Sequence, residues 1–176
     1  GVGSGPSAGS PYGVYRPALV PAELVPSYVH VGGETTVVES VAPTGEVEVE
    51  MVGGPGAELP KGPTVARPIG EIIGTRSGDK GGNANLGVFV RSDRGWAWVD
   101  SFLTIEKLKE LLPEARELVI DRHRFPAIRS LNFVIHGLLE EGVASSTRAD
   151  GQAKSLGEWL RARVVDVPTS LLEDPV

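Results

Sequence analysis

Arg76-Ser77-Gly78-Asp79-Lys80-Gly81-Gly82-Asn83-Ala84-Asn85 separates two apolar stretches that read as strands, Ile69 to Thr75 and Leu86 to Val90. A tight connection between strands needs about two to five residues, and nothing about turning a chain calls for an arginine, an aspartate, a lysine and two asparagines. Three glycines lie among these side chains. Glycine permits positive φ and lets a backbone approach a ligand closely. The run is therefore expected to be a loop that holds something, carried between two strands.

Downstream, Val99, Phe102, Leu103, Leu108, Leu111 and Leu112 recur at helical spacing within Trp96 to Leu112, with Thr104 placed to cap a second segment and Pro113 to stop it. Leu118 to Asp121 reads as a short strand. Phe125 to Leu139 fits either period, and the spacing of Ile128, Leu131, Val134, Ile135, Leu138 and Leu139 favours a helix limited by Pro126 and Gly137. Asp150 is placed to cap a last helix with Ala153, Leu156, Leu160 and Val164 on one stripe, before an edge strand at Val164 to Val167. Strands and helices interspersed in this way define an α+β domain.

Upstream, Glu46, Glu48 and Glu50 alternate with Val47, Val49 and Met51, so Thr35 to Val41 and Glu46 to Val52 are expected to pair as a hairpin across Ala42-Pro43-Thr44-Gly45. The apolar face of that hairpin needs a cover, since two strands alone are marginal in water. Gly53 to Pro63 has the composition of a linker. A boundary near residue 62 divides an extended segment plus hairpin, 1–62, from an α+β domain, 63–176.

At 176 residues the chain holds one domain with an appendage, or two small ones. Its net charge of −6 argues against a nucleic-acid partner. No apolar run reaches the length of a membrane span. The absence of cysteine removes disulfides and thiolate catalysis and is compatible with a reducing cytoplasm. No metal site is expected, because Asp79, Asn83 and Asn85 lack the spacing of a calcium loop. Lys80 precedes Gly81, which breaks the phosphate-loop pattern, and Gly5-Pro6-Ser7-Ala8-Gly9 has no strand before it to form a nucleophile elbow.

The run from Arg76 to Gly81, followed by Asn83-Ala84-Asn85-Leu86-Gly87, resembles the R-S-G-D-K-G-x-x-A-N-I-G signature of the C-terminal domain of the acyclic terpene utilisation (AtuA) family. Pro126 with Asn132-Phe133 is similar to that family's P-x-x-x-x-x-N-F stretch, and Asp150-Gly151-Gln152-Ala153-Lys154 to its D-x-Q-x-K element. The likeness spans about residues 67 to 168 and implies a ferredoxin-like sandwich. More weakly, Gly5 to Gly9 and Leu24-Val25-Pro26 resemble the end of the family's large N-terminal domain, which implies a fragment or a small subunit of a split family member.

Each candidate residue has two readings. Asp79 and Lys80 are the catalytic pair, a carboxylate acting as acid or base beside an ammonium that stabilises an oxyanion or phosphate, or else they form an ion pair that shapes the turn. Arg76, Ser77, Asn83 and Asn85 bind substrate, or the asparagines cap backbone groups. Lys154 joins the site by resemblance, or pairs with Glu158 on a helix. Asn132, inside an apolar run, is expected to find a partner in the glycine-rich stretch, because an unpaired buried amide costs about 1–3 kcal/mol. His123, between Arg122 and Arg124, either assists anion binding or ends a strand in solvent. His30 and His136 read as structural.

The resemblance implies part of an enzyme acting on branched acyl-CoA substrates of acyclic terpenoid type, with a hydratase or other lyase step as the expected chemistry. A CoA thioester is then a substrate, and no cofactor is expected. The alternative is a non-catalytic module that completes or tethers a larger subunit. Either way the expected partners are a small molecule and a second chain, in a homo-oligomer or with a larger AtuA-type subunit.

Overall fold

Two consecutive glycines decide the first element. Gly32 and Gly33 have φ of 58° and 86°, the positive values that a two-residue hairpin turn requires, and they join β1 (Ser27–Val31) to β2 (Glu34–Val38). His30 Nδ1 and Thr35 Oγ1 lie 2.8 Å apart across this ladder. The computed structural model describes residues 9, 11, 13, 18–39, 45 and 56–173. The expected strand from Thr35 to Val41 is thus present in part, but it pairs with Ser27–Val31. The expected partner, 46–52, lies outside the described residues, as do all but Gly9 of the stretch 5–9. A 3₁₀ turn, Ala22–Leu24, precedes the hairpin.

The described residues fall into two compact units, one within Arg16–Met51 and the other holding everything from residue 56 onward. In the second unit β3 (Thr64–Pro68) is followed by a 3₁₀ turn, Ile69–Glu71, where a strand had been expected. Then β4 (Gly74–Lys80) and β5 (Asn83–Phe89) form a second hairpin, turned by Gly81 at φ 62° and Gly82. The run from Arg76 to Asn85 is therefore two paired strands with a two-residue turn, and the expected ligand loop does not exist. Ala84, Leu86 and Val88 are buried, and the residues between them are not. That alternation continues the strand to Asn83, and the ladder carries β4 with it.

Helix α1 (Asp93–Phe102) begins where the Ser92 hydroxyl accepts from Gly95 N at 2.9 Å. Helix α2 (Ile105–Leu111) begins where Thr104 Oγ1 accepts from Lys107 N at 3.1 Å, and Pro113 opens the 3₁₀ turn that ends it. After β6 (Ile120–Phe125) comes β7 (Ser130–Ile135), where a helix had been favoured. Leu131, Phe133 and Ile135 are buried in alternation with half-buried neighbours, so period two prevails, and Arg129 at φ 50° excludes a continuous helix. Helix α3 (Leu156–Arg161) and β8 (Val164–Pro168) complete the order, with β8 antiparallel to β3.

The central sheet is antiparallel with strand order β4-β5-β7-β6. One face is the core: Leu86, Phe133 and Ile135 are buried together with Val99, Leu103, Leu108, Leu112, Leu156 and Leu160 from the helices. Each such side chain contributes about 1.5–3 kcal/mol on burial. The register assigns the opposite face. It carries four rows of paired residues, Gly74-Phe89-Ser130-Phe125, Arg76-Gly87-Asn132-His123, Gly78-Asn85-Val134-Asp121 and, across the hairpin, Lys80-Asn83.

Candidate functional site

Strand alternation sends Arg76, Gly78 and Lys80 to the open face, and Thr75, Ser77 and Asp79 to the face on which α3 packs. Asp79 and Lys80 are thus adjacent in sequence but on opposite faces, and they form no ion pair. Because β4 is an edge strand, residues from both faces line a depression of about 290 Å³ wrapped around it. Arg76, Ser77, Asp79, Lys80, Asn85 and Lys154 all contribute.

Lys154 reaches this place through a built turn. Asp150 Oδ1 accepts from Lys154 N at 2.8 Å and Oδ2 from Ser155 N at 2.9 Å, and the buried Ala153 is held at φ 51°. A non-glycine residue there costs of order 1 kcal/mol, a strain found where the surroundings over-determine a conformation. Ser77 locks the turn to the strand: its hydroxyl donates to Lys154 O at 3.2 Å and accepts from Gly157 N at 3.0 Å. The Lys154 ammonium then lies 3.5 Å from where a Gly78 Cβ would be. The ammonium stands at ordinary contact distance from that position, in the depression that Arg76 and Lys80 also line. Among the described residues none of the three cations is in an ion pair. Glu158 pairs with Arg161 at 3.1 Å, so the alternative partner for Lys154 is engaged elsewhere.

The remaining candidates separate. Asn83 Oδ1 accepts from Gly137 N at 2.9 Å and caps the segment after β7. Asn132 has no side-chain hydrogen bond among the described residues. The partner expected for it is unnecessary, because it lies half-buried on the open face next to Gly87. His123 faces that side too, whereas Arg122 and Arg124 face the helices and grip Asp100, with Arg122 Nη2 at 2.9 Å and Arg124 Nη2 at 2.6 Å. The suggested grouping of His123 with its neighbours around an anion is therefore undone by alternation. His136 Nε2 lies 2.8 Å from Asp121 Oδ2. Among the described residues there is no cluster of three His, Cys, Asp or Glu suited to a metal and no helix long and apolar enough to cross a membrane.

Sequence reading missed a second hollow of about 300 Å³ on the open face, bounded by Phe89, Phe125, Ile128 and Leu131 and sharing Arg76 and Gly87 with the first. Its signal was the same alternation, which places Phe89 and Phe125 in one row.

Because the Ser77 hydroxyl donates to Lys154 O and accepts from Gly157 N, Ser77→Ala is expected to cost about 1–2 kcal/mol and to loosen Lys154. Urea unfolding, with proton exchange at the Gly157 amide, checks this; an unchanged midpoint together with unchanged Gly157 protection would contradict it.

An antiparallel sheet with helices on one face and a partly concave open face, cationic at one end and apolar at the other, defines an α+β sandwich. A family model described as the AtuA ferredoxin-like domain matches residues 67–166, more than half of the chain; the chain belongs to that family, and the match gives the class of the sandwich as ferredoxin-like. No curated protein and no solved structure matches it.

Proposed function

We propose that this chain is part of an AtuA-like enzyme acting on branched, acyclic terpenoid-type acyl-CoA substrates, with the 76–85 hairpin receiving the anionic or carbonyl end. One observation supports the reading above all: Lys154 is carried to Gly78 by a doubly capped turn and shares one depression with Arg76 and Lys80, and no carboxylate among the described residues pairs any of them. An arginine fork suits a carboxylate or phosphate, and the ammonium groups add point charges. A hydratase or dehydratase step fits such a set. Asp79 carries the proton as water adds to or leaves a double bond conjugated to the thioester, and the cations face the oxygen on which charge develops. The thioester is the substrate, no further cofactor is assigned a role, and the proposed setting is the cytoplasm.

Calorimetric titration of an acyl-CoA into the protein tests the polar half of this reading. Lys154→Met and Arg76→Gln are each expected to weaken binding by about ten- to a hundredfold, the worth of a charge-assisted hydrogen bond, while melting temperatures stay within a few degrees. Equal affinity in the wild type and both variants would sink it.

A second reading, assembly with a larger AtuA-type subunit or another copy, is favoured by the hairpin β1–β2. All of its strand residues are exposed, Tyr28, Val29, Val31, Val37 and Val38 among them. Sedimentation velocity at micromolar concentration, alone and with such a subunit, is expected to show association, and a strict monomer in both cases would count against it.

A further inference from the structure

Gly87 sits in the interior of β5, a central strand, where glycine weakens a sheet. Neither of the usual structural reasons accounts for it. Its φ is not in the left-handed region, and a Cβ there would meet nothing closer than the Arg76 carbonyl at 3.5 Å and Asn132 Oδ1 at 4.0 Å, which are ordinary contacts. A side chain fits, and its absence leaves a trough. That trough is where the two hollows of the open face meet, since Arg76 and Gly87 line both. A glycine that packing does not require, at the centre of an exposed sheet face, marks close approach of something to the backbone.

The chemistry changes along the trough in one direction. In the row of Lys80 and the row of Gly78 the lining is cationic, with the Lys154 ammonium over Gly78. The next row holds Arg76, Gly87 and Asn132. The last holds Phe89 and Phe125, and Ile128 beyond it is 67% exposed. Rows lie two residues apart, about 6.8 Å, so the passage from cations to exposed rings spans roughly 20 Å. A purely polar ligand has no use for the second half, and a purely apolar one has none for the first.

We propose that this trough is one binding site for an amphipathic anion, with the charged or carbonyl head between Arg76 and Lys154 and an aliphatic chain lying over Gly87 onto Phe89, Phe125 and Ile128. These last residues then set chain-length preference. The proposal rests on the acyl-CoA reading for the head and adds the chain subsite, which can fail alone.

Decanoyl-CoA and acetyl-CoA are the probes, titrated into the full chain. Each buried methylene is worth about a factor of four in affinity, so decanoyl-CoA is expected to bind at least about tenfold tighter than acetyl-CoA. Gly87→Val, which suits a strand and fills the trough, is expected to remove that advantage by weakening decanoyl-CoA far more than acetyl-CoA. Ile128→Ser, on the rim of the apolar hollow and 67% exposed, is expected to reduce the advantage without altering the melting temperature. If the wild type binds both probes equally, or if Gly87→Val weakens both alike, the chain subsite is overturned while the head reading stands. If neither probe binds, both are overturned. A dimer that Gly87→Val dissociates, with the chain-length preference intact, would make the trough an interface between copies and would likewise overturn the proposal.

Discussion

Asp100→Ala is expected to destabilise the unit from residue 56 onward by about 2–4 kcal/mol at neutral pH, the range for removing one partner from a partly buried, hydrogen-bonded charge cluster. Asp100 and Arg122 are only 20% and 16% exposed, whereas Arg124 is 52% exposed and screened by water, which places the expectation toward the lower end. The carboxylate accepts from Arg124 Nε at 2.8 Å as well as Nη2, and Arg122 also donates to the Leu103 and Asp100 carbonyls. Helix α1 is thereby tied to β6. Burial alone raises the Asp100 pKa, but hydrogen bonds from Arg124 and Arg122, with their charges, outweigh it and hold the carboxyl below the usual carboxylate range.

The sign of the pH dependence follows. As pH falls the unfolded chain, with an aspartate pKa of about 3.9, takes up the proton before the folded one does. The contribution is full above about pH 5 and is lost progressively below about pH 4 as the folded value is approached. Urea midpoints of wild type and Asp100→Ala should therefore differ by a constant amount from pH 5 to 8 and converge toward pH 2. A gap that stays the same down to pH 2 would show that the carboxylate charge plays no part.

What the sequence discloses depends on which interactions are local. The caps Ser92 and Thr104 act within three residues, and of these Thr104, like the stop at Pro113, is legible from spacing alone. The residues that line the depression around β4 are legible as a group because they crowd one motif and one later turn. Their arrangement is not. Whether Arg76 to Asn85 is a loop or a hairpin depends on pairing with β7, half a domain away, and Leu131 and Ile135 satisfy both a helical and a strand period until that sheet selects one. Misreading the run as a loop put Asp79 and Lys80 side by side; the strand sets them on opposite faces. Asp100 is invisible for a similar reason, since nothing near it in sequence announces two arginines from a strand more than twenty residues later. The glycines of the run also differ in ways their spacing does not show: a Cβ at Gly78 would meet the Lys154 ammonium at ordinary contact distance, Gly81 needs its positive φ, and Gly82 gives space to a backbone.

That last distinction carries the other large effect. Gly81 has φ 62° and open space around it, so Gly81→Ala pays only the left-handed strain, of order 1 kcal/mol. Gly82 has an ordinary φ, yet a Cβ there would sit well inside contact distance of the Glu140 carbonyl oxygen. Backbone cannot swing aside as a lysine tip can. The segment after β7 is fastened at this point by Leu139 N donating to Gly82 O at 2.9 Å and Gly137 N donating to Asn83 Oδ1, and it buries Leu138 and Leu139. Moving it away loses two hydrogen bonds and exposes part of two leucines, so Gly82→Ala is expected to cost about 3 kcal/mol or more. Denaturant unfolding of the two single variants decides the matter, with amide exchange at Leu139 and Gly137 reporting the undocking. If Gly81→Ala proves the more damaging, the turn's handedness rather than the docked segment is what the glycine pair protects, and Asn83 loses its place as the fastening between the hairpin and the segment that follows β7.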